Sequence, residues 1–159
     1  MNRIKKIVIA NRGEIAVRII KTAKKLGIET VAVYAEDDDR SLHVSQADEA
    51  VLLEGNSLQE TYLNQDKIIE IALKKGAQAI HPGYGFLSEN ASFAEKVEKS
   101  GLIFIGATAD QIRLMGEKKQ ANQFVKKLGI PIIPSVSGSE EEISKTLKNM
   151  EFPVLVKAS

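Results

Sequence analysis

A helix-end signal that recurs before apolar stretches constrains the fold of this chain more than any other feature. The signal is lysine in a last helical turn with glycine just beyond, because lysine complements the carbonyl end of a helix and glycine accepts a left-handed cap. It occurs four times, at residues 24–27, 74–76, 99–101 and 126–129. Each copy precedes an apolar or β-prone segment, and this repeated succession of helix and strand predicts an α/β fold.

The first repeat predicts a strand, a helix and a second, parallel strand. The continuous apolar run at 6–10 is typical of a strand that is buried on both faces. From Glu14 the apolar positions take helical spacing, and four side chains form the predicted buried stripe: Ile15, Ile19, Ala23 and Leu26. A second buried strand is predicted at 30–34, so a parallel sheet with right-handed crossovers follows.

Capping residues predict the later elements and a change of domain. Asn64 is predicted to cap a helix over 65–75, and Asn90 a helix over 91–99. Strands are predicted after these helices, at 77–80 and 102–105. Capping boxes follow, at Thr108 with Gln111 and at Ser139 with Glu142. Between these boxes the proline-containing stretch 129–134 predicts a stiff connector, and we divide the chain into 1–112 and 113–159.

Composition excludes several classes of function. The 22 basic and 21 acidic residues leave a formal charge of +1, which gives no reason to expect a nucleic-acid or membrane-surface partner. The chain has no cysteine, so disulfides and thiolate nucleophiles are excluded, and with only two histidines a zinc site is not expected. The N-terminal apolar run is too short for a signal peptide or a membrane span, and a cytoplasmic protein is expected.

Residues 11–14 lie where the first strand meets the first helix, a place where ligands often bind in such sheets. The glycine-rich fingerprint of dinucleotide-binding proteins is missing, since Gly13 is the one glycine there. We therefore favour a structural interpretation, in which Asn11 is a turn residue and Glu14 complements the helix dipole.

The stretch 81–90 is the least ordinary part of the chain. It follows a predicted strand and contains two glycines, a proline, two aromatic residues and a glutamate. Glycines allow a ligand to approach the backbone, although a tight turn whose aromatic side chains seal the domain edge would have the same composition. His81 is predicted to be a hydrogen-bonded structural residue rather than a base or a metal ligand.

Two lysines are further candidates. Lys118 lies on or before a predicted helix, where most lysines are simply solvated. Lys157 follows the apolar residues 154–156, which predict a buried strand, and a lysine at such a strand end usually points at a phosphate. From the residues alone, Lys157 is the stronger candidate.

Taken together, these stretches resemble biotin carboxylase, the ATP-dependent component of biotin-dependent carboxylases. The resemblance lies in six segments: 7–16, 47–49, 79–90, 104–106, 112–118 and 153–159. It implies a Rossmann-like pre-ATP-grasp domain with a parallel sheet, followed by an incomplete ATP-grasp segment. It also implies a two-step reaction: ATP phosphorylates bicarbonate, and the CO2 released from carboxyphosphate is captured by a ureido nitrogen of biotin on a carrier protein.

The resemblance implies roles for particular residues. Lys118 and Lys157 match lysines that contact ATP in the family, and Tyr84 and Gly85 match the loop that borders the biotin and bicarbonate end of the site. Arg18 matches a helix face that is used for homodimerisation. The implied cofactors of the complete enzyme are ATP, Mg2+ and biotin, and the implied partners are a biotin carboxyl carrier protein or domain and a carboxyltransferase.

We expect this chain by itself to be inactive. The family's glycine-rich lid, its acidic Mg2+ ligands and its catalytic carboxylate would all follow Ser159, so no catalytic or metal-binding residue is assigned within the chain. The apolar stretch at 154–156 predicts a strand that has only begun, as in a fragment. Three alternatives stay open: a non-catalytic interaction module, another ATP-grasp ligase, and a nicotinamide-binding domain. The stretch 81–90 argues against the second, and the missing glycine fingerprint against the third.

Overall fold

A computed structural model describes residues 4–116, 118–133, 138–147 and 153–155. The chain divides into two units, Met1–Gly116 and Glu117–Ser159. The first unit contains five strands and five α-helices: β1 (Lys6–Ile9), α1 (Gly13–Lys25), β2 (Glu29–Tyr34), α2 (Leu42–Gln46), β3 (Glu49–Leu52), α3 (Gln65–Lys74), β4 (Ala79–His81), α4 (Ala91–Lys99), β5 (Ile103–Phe104) and α5 (Ala109–Gly116). A single 3-10 turn, Glu36–Asp38, follows β2. The second unit contains α6 (Lys118–Lys127) and α7 (Glu140–Leu147).

The five strands form one parallel sheet in the order β3-β2-β1-β4-β5. The chain adds strands on one side of β1 and then returns to add β4 and β5 on the other side. The strand order therefore reverses between β1 and β4, and open α/β sheets usually bind ligands at the carboxyl ends of the strands at such a point. The predicted α/β fold with a parallel sheet is therefore confirmed.

Both faces of the sheet are covered, because successive side chains of a strand point to opposite faces. Ile7 and Ile9 pack in the cluster formed with α1. Val8 belongs to a larger cluster on the other face, which includes Ile68 of α3 and Phe93 of α4. The continuous apolar run of β1 is thus explained by burial on two sides.

The capping predictions are confirmed where the structure describes them. The side-chain oxygens of Asn64 and Asn90 accept hydrogen bonds from the third amide of α3 and of α4. The glycines that follow four helices all have left-handed backbones: Gly27, Gly76, Gly101 and Gly129. Both predicted capping boxes form reciprocal hydrogen bonds.

Three sequence predictions are wrong in detail. Leu26 is 55% exposed and not part of the buried stripe, since the helix ends before it and Ala16 and Ile20 are buried instead. The fourth helix-end signal precedes no strand in residues 130–133. The expected buried strand at 154–156 is not seen in its described part, because residues 153–155 are not in a strand and Leu155 is 80% exposed.

Strand β3 is absent from the sequence predictions. Its side chains alternate between half-buried and exposed, as expected at a sheet edge, so it lacks a continuous apolar run. Glu49, its first residue, accepts 2.8 Å hydrogen bonds from Lys6 and Lys75. These contacts tie the edge strand to β1 and to the end of α3.

Candidate functional site

The candidate site lies at the carboxyl edge of the sheet, between the ends of β1 and β4. Residues 11–14 leave β1 and enter α1, while the 81–90 loop leaves β4 and ends at the cap of α4. β1 and β4 are neighbouring parallel strands, so the two segments emerge side by side. The sheet thus brings together the two stretches that the sequence singled out separately.

Asn11 anchors the start of the 81–90 loop. Its side chain is buried and donates hydrogen bonds from Nδ2 to the carbonyl oxygens of Pro82 (2.7 Å) and Tyr84 (2.8 Å). A β-carbon at Gly83 would lie only 2.8 Å from Asn11 Nδ2, and Gly83 has a φ of +69°, so glycine is required there. The structural interpretation of Asn11 as a turn residue did not foresee this second role, in which its amide holds the neighbouring loop.

His81 has the structural role that the sequence predicted. Its Nδ1 accepts a 3.0 Å hydrogen bond from the Gly83 amide. Burial lowers the pKa of His81, and the positive charge of Arg18 lowers it further. The neutral imidazole is the form that can accept this bond, so His81 shapes the turn.

Tyr84 and Gly85 form an exposed segment in the middle of the loop. Tyr84 is 60% exposed, and its hydroxyl donates to Glu14, which raises the pKa of that hydroxyl. Gly85 has a φ of +66°, and a β-carbon there would meet no atom within 4 Å. Glu14, predicted only to complement the helix dipole, therefore also fixes the tyrosine ring.

A second group of side chains supports the far end of the loop. Phe86 stacks on Tyr62 with ring centroids 5.1 Å apart and planes 6° from parallel. The Arg12 guanidinium lies over both rings and donates a 3.1 Å bond to Asp38, which also accepts from the Tyr62 hydroxyl. Burial and this hydrogen bond raise the pKa of Tyr62 above its ordinary range. Sequence reasoning missed Asp38 and Tyr62, which carry no local motif.

His43, which feels the charge of Asp38, is fully buried. Burial lowers its pKa, which the negative charge of Asp38 partly opposes. Burial also raises the pKa of Asp38, but hydrogen bonds from Tyr62 and Arg12 outweigh it and hold that pKa below its ordinary value. Asp38 is therefore an anion paired with the Arg12 cation beside a neutral imidazole.

The family model described as "Biotin carboxylase, N-terminal domain" matches residues 3–112, which is most of the chain. The chain belongs to this family.

Its relatives include carboxylases from distant organisms. The chain is 51% identical to the mitochondrial methylcrotonoyl-CoA carboxylase subunit alpha of Dictyostelium discoideum, over 98% of this chain and 23% of that protein. It is 47% identical to biotin carboxylase 1 of Bacillus subtilis, over 98% of this chain and 35% of that protein. The chain thus spans about a third or less of the relatives' lengths.

A solved structure with the same fold is the biotin carboxylase domain dimer of Hydrogenobacter thermophilus 2-oxoglutarate carboxylase, in complex with MgADP, ADP and bicarbonate. It has a TM-score of 0.90 and 44% identity, and it matches 96% of this chain and 34% of that chain. This similarity to a biotin carboxylase domain agrees with the Rossmann-like domain that the resemblance implied.

The described part of the structure does not show where the side chains of Lys118 and Lys157, the two lysines implied by the resemblance, lie relative to the site. The backbone of Lys118 begins α6 in the second unit, whereas its side chain lies outside the described part of the structure. Lys157 lies wholly outside the described residues. Their contacts with ATP therefore stay predictions.

Arg18 is exposed on α1, and the use of its helix face in homodimerisation stays a prediction. It lines a groove between α1 and α2 together with Lys21, Lys25 and Leu42. Within the described residues there is no cluster of three or more histidine, aspartate or glutamate side chains placed to hold a metal ion. No described helix is both long enough and apolar enough to cross a bilayer.

Proposed function

We propose that this chain forms the biotin-facing wall of a biotin carboxylase, the enzyme in which ATP activates bicarbonate and biotin is carboxylated. Membership of the family supports the proposal, as do relatives that are named as carboxylases. The bicarbonate and ADP in the Hydrogenobacter structure belong to that protein, and we extend their chemistry to this chain as part of the proposal.

The observation that carries the proposal is the fixed, solvent-facing pair Tyr84 and Gly85. The loop is tied to β1 by Asn11, so its backbone is held before any ligand arrives. Gly85 leaves open space where a side chain would stand, and Tyr84 offers an exposed ring against which a flat ureido ring could pack. A pre-formed surface of this kind lowers the entropic cost of ordering a ligand.

We extend the proposal to the nucleotide and its metal. Lys118 and Lys157 contact ATP phosphates, and residues 113–159 begin an ATP-grasp segment. When bound, Mg2+ neutralises the phosphates during phosphoryl transfer. We propose, from the family resemblance alone, that the acidic ligands of Mg2+ lie in the remainder of the complete enzyme.

The proposed partners follow from the same reaction. A biotin carboxyl carrier protein or domain presents the biotin, and a carboxyltransferase passes the carboxyl group to an acceptor. A homodimer forms through the outer face of α1 around Arg18, a proposal supported by the exposure of that residue and by the dimeric Hydrogenobacter domain. We also propose a cytoplasmic location, with which a chain free of cysteine is compatible.

The test is phosphate release by the full-length product of the encoding gene, with ATP, Mg2+, bicarbonate and free biotin. We expect release that requires both bicarbonate and biotin, and none above background from the 159-residue chain. Tyr84→Ala should raise the KM for biotin while the KM for ATP stays constant, and Tyr84→Phe, which keeps the ring, should retain most of the biotin affinity. A full-length product without biotin-dependent release would contradict the proposal.

A further inference from the structure

The 81–90 loop contains a backbone conformation that needs support. Phe86 has a φ of +43°, and it is the one non-glycine residue in the described part of the chain with a positive φ. A bulky side chain in this region is strained, and such strain persists only where the surrounding structure fixes it. Phe86 directly follows Gly85, so whatever holds Phe86 also sets the path of the exposed loop segment.

Two side chains from other parts of the chain, Tyr62 and Arg12, support the Phe86 ring. Tyr62 precedes α3 and stacks flat on Phe86 at 5.1 Å. The guanidinium of Arg12, which follows β1, lies 5.9 Å from the Phe86 ring centroid and 5.5 Å from that of Tyr62. A cation within 6 Å of both ring centroids attracts both rings and so favours their stacked arrangement.

Arg12 is itself held in place. Its guanidinium and the Tyr62 hydroxyl donate to the same oxygen of Asp38, at 3.1 Å and 2.7 Å. The Tyr62 hydroxyl also accepts from the Ala35 amide at 3.1 Å, which fixes it to the end of β2. The group therefore joins the ends of β1 and β2 to the loop that follows β4.

We propose that Arg12 is a positioning residue for the biotin carboxylase reaction: through Phe86 it holds Tyr84 and Gly85 in their ligand-facing geometry. This inference rests on the proposed function. Asn11 fixes the beginning of the loop through Pro82 and Tyr84, and Arg12 fixes its end. The segment that faces the ligand lies between these two points.

The first experiment measures the loop in the 159-residue chain. Amide hydrogen exchange is followed by NMR at Gly83 and Ser88, whose amides bond within the loop, and at the amides of β1. Arg12→Lys keeps a charge for Asp38 but loses the planar face, whereas Arg12→Met keeps only the stem. We expect both variants to speed exchange at the loop amides by about tenfold or more while exchange in β1 changes little.

The matched control is Arg113→Lys, since Arg113 is also a half-exposed arginine in ion pairs, with Glu95 and Asp110, but lies on α5. It should leave exchange in the loop unchanged. Loop exchange that stays at the wild-type rate in both Arg12 variants would overturn the inference. An equal rise in the loop and in β1 would overturn it too, because Arg12 would then act only on global stability.

The second experiment measures kinetics in the full-length gene product. Arg12→Lys is expected to lower kcat/KM for free biotin by about tenfold, with the KM for ATP within a factor of about two, because the loop and not the nucleotide site has changed. Equal losses for both substrates, or no loss, would refute the inference. An inactive wild-type protein would instead refute the proposed function, and the exchange experiment would still decide whether Arg12 holds the loop.

Discussion

Replacement of Tyr62 with phenylalanine removes one oxygen from the buried junction of β2, α3 and the 81–90 loop. Tyr62 is 1% exposed, and its hydroxyl donates 2.7 Å to Asp38 and accepts 3.1 Å from the Ala35 amide. A hydrogen bond to a charged group contributes about 1.5–3 kcal/mol, and the Ala35 amide loses its partner as well. The Tyr62–Phe86 ring stack remains, so no cavity term is added. We expect Tyr62→Phe to lower the free energy of unfolding by about 2–3 kcal/mol.

Urea unfolding followed by far-UV circular dichroism measures this loss, and a thermal melt should show a Tm lower by about 8–12 °C, at ~4 °C per kcal/mol for a domain of this size. Tyr34→Phe is the matched control. Tyr34 is half-buried, and its hydroxyl makes no hydrogen bond within the described residues, so the change should stay within about 0.5 kcal/mol.

A double-mutant cycle tests the cause of the loss. Asp38→Asn removes the charge that Tyr62 donates to, so the two changes should couple by about 1 kcal/mol or more. The reasoning is refuted if Tyr62→Phe costs less than about 0.5 kcal/mol, the level of an ordinary surface change, or if Tyr34→Phe costs as much. If the stability losses of Tyr62→Phe and Asp38→Asn simply add in the double mutant, the hydrogen bond between these two side chains is not the source of the loss.

Three further outcomes are expected. Hydrogen bonds from Lys6 and Lys75 lower the pKa of Glu49 from 4.5 to about 2, so its contribution to stability is present above pH 4.5 and is lost as the pH falls toward 2. Glu49→Gln should therefore flatten that part of the pH–stability curve. The control Glu98→Gln, at an exposed residue, should leave the curve unchanged. Asn90→Ala should cost about 1 kcal/mol in urea unfolding, because the Phe93 amide loses its 2.9 Å cap; a cost near zero would contradict the cap. In the full-length product, Lys157→Ala should raise the KM for ATP about ten- to a hundredfold, and an unchanged KM would remove Lys157 from the site.

Local physics made the framework of this fold predictable. Asn64 and Asn90 mark their helices because a side-chain oxygen satisfies amides that a helix start leaves unpaired. Gly27 marks a helix end because its left-handed backbone suits glycine. Strand β3 escaped prediction since an edge strand with a half-buried face has no continuous apolar run. Signals of this kind act over a few residues, which is why they locate elements and not the contacts between them.

The supports of the candidate site are non-local. Asp38 is 26 residues from Arg12 and 24 from Tyr62 along the chain, and no spacing rule relates side chains so far apart. His43 likewise gives no signal in the sequence, because its burial depends on the packing of α2 against the sheet. The family resemblance pointed to Tyr84 and Gly85, whereas the residues beneath them became visible only once the strands were placed side by side.

The two segments that local reasoning treated as separate explain each other. Taken alone, residues 11–14 fit an ordinary strand-to-helix turn, and the 81–90 loop fits a tight glycine-containing turn. The parallel pairing of β1 with β4 changes this, since it aligns Ile9 with His81 and so sets Asn11 beside Pro82. Gly83 then has to be glycine because of the Asn11 amide, a residue far away in sequence. The exposed loop is therefore shaped from beneath by the end of β1, and substitutions at Asn11 or Arg12 should alter ligand binding without touching the ligand.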